Sequence, residues 1–132
     1  MTEPSDIRAG RPIPTGSSFE LFAWFFMRVS GVLLLLLALG HLAVMHLINS
    51  IHTIDYDFVA ERWSGDWGMF WRSYDWLLLS LALLHGSNGL RTILDDFIRP
   101  GGWRTFWMSV LYSATFIFLA VGSIIVFTFS PL

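Results

Sequence analysis

His85 lies deep in an apolar run, and the residues around it change character in a fixed order: Leu83-Leu84-His85-Gly86-Ser87-Asn88-Gly89-Leu90-Arg91-Thr92-Ile93-Leu94-Asp95-Asp96-Phe97. On a helix turning about 100° per residue, His85, Gly89, Thr92 and Asp96 fall within roughly 60° of one another. One face then offers an imidazole, a position without a side chain, a hydroxyl and a carboxylate. Ala82 and Gly86 sit beside the histidine, so a bulky planar group can approach the backbone closely there. An imidazole next to such a gap suits axial ligation of a haem iron. It suits equally a core histidine satisfied by a neighbouring helix, with the glycines serving helix packing.

Other polar residues stand in apolar surroundings. An intramembrane histidine is costly without a partner or a task, and His41 is a second one. His41 is thirteen residues beyond Arg28, about 20 Å along a helix. His85 is eleven residues before Asp96, about 16 Å. On antiparallel helices the two imidazoles take different depths, which suits two haems better than both faces of one. His46, about 140° around the helix from His41, competes with it for a ligand role or snorkels to water. His52 falls in a polar connection and is read as solvated. Arg28 and Arg91 can hold a haem propionate or a quinone headgroup, because a guanidinium grips a carboxylate bidentately; either can instead reach lipid phosphate. Ser30 can donate to a quinone carbonyl or bond its own helix backbone. Asp95 and Asp96 oppose the helix dipole where they stand, which suggests that they serve a partner, a proton path or an arginine; the alternative is a plain solvated helix end.

Composition shows what must carry these residues. Of 132 residues 55% are hydrophobic, 17% aromatic and only 14% charged, against about 25% charged in a soluble domain. So much apolar surface cannot be buried in a core of this size, and the chain sits in a bilayer. A net charge of −2 without a basic patch makes nucleic acid an unsuitable partner. The absence of cysteine excludes disulfides, thiolate metal sites and cysteine-held iron–sulfur clusters from this chain. All eight basic residues are arginine; no physical reason for that is evident.

The fold class read from this is an all-α membrane protein with three transmembrane helices. Residues 1–18, with Pro4, Pro12 and Pro14 among Gly, Ser and charges, form a flexible N-terminal arm. Residues 19–132 form the membrane domain, with helices at about 19–49, 72–97 and 105–129. No charge occurs between Arg28 and Asp55, which suffices to cross about 30 Å of hydrocarbon. The connection 50–72 mixes acids with aromatics and reads as a short interfacial segment. In the second helix the uncharged core, Trp76 to Leu90, is only fifteen residues, so Asp75 and Arg91 must reach headgroups or face protein. Pro100, Gly101 and Gly102 make a tight turn over 98–104. The third helix has no charge after Arg104 and reads as scaffold. A channel or transporter would need a polar stripe through the membrane, and this helix has none. Six of the eight arginines fall on one side, so the positive-inside rule puts the N-terminus in the cytoplasm and the C-terminus outside.

His85-x₃-Gly89-x₆-Asp96-Phe97 resembles the His-x₃-Gly-x₆-Asp-Tyr signature of the cytochrome b anchor subunits of succinate dehydrogenase, specifically the second hydrophobic subunit. Arg28-Val29-Ser30-Gly31 resembles the start of the same family's first helix, and the likeness extends over about residues 19–130. It implies half of a six-helix haem-binding anchor bundle in a bacterial plasma membrane. The other half is a sister cytochrome b subunit, and an iron–sulfur subunit carrying the flavoprotein docks on the pair. A higher oligomer of the whole complex is compatible with it. Succinate is oxidised elsewhere, so the chain is part of the enzyme without binding succinate. By the resemblance His85 is an axial ligand of haem b, Arg28 approaches the propionates or the quinone pocket, and Asp96 lines the quinone site or supports its protonation. Gly40-His41 resembles the outer-half pattern of dihaem relatives, which implies two haems, with His41 the second ligand, and menaquinone as acceptor. The family's tyrosine is Phe97 here, and a phenylalanine cannot donate to a quinone carbonyl. A haem-free anchor of the same type of complex, and a fumarate reductase anchor, are the alternatives.

Overall fold

The computed structural model describes residues 18–129. Its elements are α1 (Ser18–Leu42), continued by a π-helical segment (Ala43–Ile48), a 3₁₀ turn (Ile51–Thr53), α2 (Tyr56–Ser64), α3 (Gly68–Phe97) and α4 (Gly102–Thr128). The described residues contain no strand. Three stretches are long and apolar enough to cross a membrane: Ser18–Ile48, Gly68–Phe97 and Gly102–Thr128. The arm expected over residues 1–18 lies outside the described residues, except Ser18, which opens α1.

The helix ends follow local chemistry. Asp55 caps α2, its carboxylate accepting the Phe58 amide at 2.9 Å. Asn49 closes the wide π turn, donating from both its amide and its side chain to the Val44 carbonyl. After α3 the chain passes Pro100, and Gly101 takes φ 142°, a backbone conformation open to glycine, before α4 begins.

α3 is the central element and packs against α1, α2 and α4. It begins four residues earlier than the charge pattern suggested, and α4 three residues earlier. Arg72 looked like an interfacial boundary, but it is an internal fastener. Its Nε donates to the Trp63 carbonyl at 2.9 Å, Nη1 to Val126 O at 2.8 Å and Nη2 to Phe129 O at 2.7 Å. The last two groups are carbonyls at the C-terminal end of α4, which have no partner within their own helix. Thirty residues of α3 span about 45 Å, more than the oil layer, so its ends project or the helix tilts.

Little apolar surface is buried between the helices. Ala23, Ala60, Met108 and Val126 are the buried hydrophobic residues described, joined by Ser30 and Ser80. Polar contacts between helices recur instead. Trp76 Nε1 donates to Ser123 Oγ at 2.8 Å, Ser87 and Thr115 share a 2.5 Å hydrogen bond, and the Tyr74 hydroxyl donates to Leu37 O at 2.5 Å. Gly40 makes room for that phenol, since a Cβ there would stand 2.7 Å from the Tyr74 oxygen. Leucines and phenylalanines point outward, as a lipid-facing surface requires.

Candidate functional site

α1 and α3 run antiparallel and place one histidine of each against the other helix. On α3, His85 Nδ1 lies 2.8 Å from Ser30 Oγ. On α1, His41 Nδ1 lies 3.6 Å from Asp75 Oδ1. Ser30 and His41 are eleven residues apart and Asp75 and His85 ten, giving about 16 Å and about 15 Å along the two helices. The histidines therefore occupy separate levels, as their spacing in sequence required.

Around His85 the structure redraws the expected surface. The face carrying His85 and Gly89 is turned to α1: the ring meets Ser30, and a Cβ on Gly89 would lie 3.9 Å from Met27 Cε. Gly89 is therefore filled in by a methionine. The open position is Gly86, where an added Cβ meets nothing within 4 Å, with Ala82 also exposed. Gly31 lies behind the ring, its Cβ position 3.4 Å from His85 Cε1. Among the described residues the Nε2 of His85 makes no hydrogen bond, and no group of three metal-ligating side chains occurs. A single imidazole beside an open backbone fits axial ligation of a haem. It does not fit a free metal ion, which needs several ligands from the protein.

Arg28 and Arg91 come together. Both line a cavity of about 890 Å³ between the first half of α1 and the second half of α3, with Glu20, Trp24, Met27, Asn88 and Thr92. Ligand pockets commonly measure about 300–1,000 Å³. Arg28 lies over the Trp24 ring at 3.7 Å. Arg91 donates to Asn88 Oδ1 at 3.2 Å and to both Glu20 oxygens at 3.2 and 3.4 Å. Ser30 does not line this cavity: it is 1% exposed, and its hydroxyl donates to Phe26 O at 2.6 Å. Asp96 is exposed and has no polar partner among the described residues. Asp95 has found arginines, with Arg104 Nη2 at 2.5 Å and Arg91 Nη1 at 3.9 Å. Phe97 is 84% exposed beside the α3–α4 turn.

The opposite end carries a cluster that the sequence showed only in part. Asp75 Oδ2 accepts from Trp63 Nε1 at 2.9 Å, while its Oδ1, His41 Nδ1 and the Nε and Nη2 of Arg62 are buried without hydrogen-bond partners among the described residues. Arg62 lies over the Trp71 ring at 3.7 Å and points Nη1 at Met45 Sδ, 3.5 Å away. Burial pushes its guanidinium below the usual value, with Asp75 and Tyr74 acting in the other direction, and an arginine remains cationic there. Asp75 gave a signal in sequence, a carboxylate too near the membrane to stay unpaired; Trp63, Arg62 and Glu20 gave none. His46 and His52 are exposed.

Residues 12–127 match the succinate dehydrogenase/fumarate reductase transmembrane subunit family. The chain belongs to that family. No curated protein matches it. The match spans all three membrane helices, so this is the multi-pass membrane subunit of a larger succinate dehydrogenase/fumarate reductase complex.

Proposed function

We propose that this subunit is the cytochrome b-type anchor of a succinate dehydrogenase, with His85 as axial ligand of a haem b and the Arg28–Arg91 cavity receiving a quinone. The observation that carries the reading is an imidazole held through Nδ1, with Nε2 unbonded, beside the open backbone of Gly86. When bound, haem supplies a one-electron centre inside the membrane. The chain's own residues hold and orient: Ser30 and Gly31 back the ring, and Met27 fills the space at Gly89.

In the cavity Arg28 and Arg91 offer guanidinium donors to a quinone carbonyl or a propionate, and Glu20 and Asn88 fix the pose of Arg91. Asp96, exposed at the same end, supports quinone protonation. Phe97 supplies no phenol, so the arginines carry the donor role. His41, steadied by Asp75, takes a second haem, and the quinone is menaquinone. A sister cytochrome b subunit completes a six-helix bundle and the coordination of each iron. An iron–sulfur subunit bearing the flavoprotein docks at the cavity end, which lies on the cytoplasmic side of a bacterial plasma membrane.

Haem quantitation on the purified complex tests this. Two haems per complex are expected, with loss of one in His85→Ala and of the other in His41→Ala. Gly86→Leu should assemble normally and lose the His85 haem, since the leucine occupies open space. A His85→Ala complex that retains its full haem content refutes the assignment.

A further inference from the structure

We propose that Ser30 is a positioning residue for His85, holding the imidazole in its Nδ1–H form so that Nε2 presents a lone pair to iron. This rests on the haem reading above and adds to it a task for Ser30 distinct from the cavity.

A serine has one proton to give. The Ser30 hydroxyl is 2.6 Å from the Phe26 carbonyl and 2.8 Å from His85 Nδ1. A carbonyl can only accept, so the proton lies toward Phe26, in the back-bond that a helical serine makes to the residue four before it. Oγ then faces the imidazole with a lone pair, and the ring nitrogen opposite it must carry the hydrogen. The reverse arrangement would turn the hydroxyl toward the ring and leave two oxygens 2.6 Å apart with no proton between them. Water offers no alternative partner, because Ser30 is 1% exposed.

A neutral imidazole carries one N–H, so fixing it on Nδ1 leaves Nε2 as the electron-pair donor that metal ligation needs. The contact fixes the ring's rotation too. Nδ1 is tied to α1 on one side, and Cε1 lies 3.4 Å from the Cβ position of Gly31. An added Cβ at residue 31 would come into van der Waals contact with the imidazole. Ser30-Gly31 is thus a backing plate, one residue supplying the acceptor and the next the clearance. Ligand orientation of this kind commonly contributes about 10–100-fold to metal affinity.

The test uses the assembled, purified complex. Haem transfer to excess apomyoglobin and the low-spin EPR signal are compared in wild type, Ser30→Ala, Ser30→Thr and His85→Ala. Ser30→Ala should release the His85 haem about 10–100-fold faster, and its EPR signal should broaden or shift as the ring loses its fixed angle. Ser30→Thr, which keeps the hydroxyl, should restore both. If the alanine variant does not assemble, Ser30→Cys takes its place, with an intermediate loss expected from a weaker sulfur acceptor. A variant without the hydroxyl whose haem release and EPR signal match wild type overturns the proposal. Retention of haem by His85→Ala would instead overturn the haem reading itself.

Discussion

Replacing Asp75 by alanine should destabilise the folded subunit by about 3–5 kcal/mol. Two interactions dominate the loss, beside the longer 3.6 Å approach of His41 Nδ1 to the carboxylate. The indole N–H of Trp63, 2.9 Å from Asp75 Oδ2, loses its acceptor in a part-buried place, at about 1–3 kcal/mol. The cationic Arg62, with two buried nitrogens unbonded, loses its nearby counter-charge. For a fully buried ion pair in contact that loss costs about 3–5 kcal/mol, whereas Arg62 and Asp75 attract at longer range. The Asp75 side chain is 16% exposed, which lowers the figure to about 2 kcal/mol. Asp75→Asn separates the two contributions: the amide oxygen still accepts from Trp63 and only the charge disappears, so about 1–2 kcal/mol is expected. Unfolding of the purified complex in mixed micelles with increasing SDS, followed by circular dichroism, gives both values. An Asp75→Ala value within about 1 kcal/mol of wild type, or an Asp75→Asn as damaging as Asp75→Ala, would refute this role of the carboxylate.

Arg72→Lys should cost about 1–3 kcal/mol in the same unfolding measurement, because an ammonium cannot reach three carbonyls on two elements with the fork of a guanidinium. Gly40→Ala should cost about 1–3 kcal/mol by driving the Tyr74 hydroxyl off Leu37 O. Adding Tyr74→Phe should recover part of that loss, and strict additivity in the double-mutant cycle would contradict the steric account. Glu20→Ala should change stability by less than about 1 kcal/mol, since Glu20 is 52% exposed and salt screens such a pair. The freed Arg91 should then bind quinone with altered affinity, read from the KM for a soluble quinone analogue.

Three helices were legible because long uncharged runs have few other uses. Their ends were not, because charge ordinarily marks the membrane boundary and Arg72 is satisfied within the protein by backbone carbonyls. His85 and His41 stood out as imidazoles in oil, and their spacing gave two levels that the antiparallel packing reproduces. Ser30 was visible as a polar residue, yet its role depended on which helix faced it, and periodicity within one helix does not supply that. Likewise the arc holding His85 and Gly89 was legible as one face, but not that α1 covers it and leaves Gly86 open. Arg28 and Arg91, 63 residues apart, meet in one cavity only because α1 and α3 run in opposite directions.

The arrangement of serines has a consequence for the life of the chain outside its complex. Ser30 is the most enclosed residue described and Ser80 is buried, as are a few apolar side chains, while phenylalanines face away, so water expulsion does little to draw the helices together. Each helix is stable once inserted, but their mutual angles are set by a few hydrogen bonds and by whatever molecules press from outside. A copy synthesised without companions would keep its helical content and lose its shape.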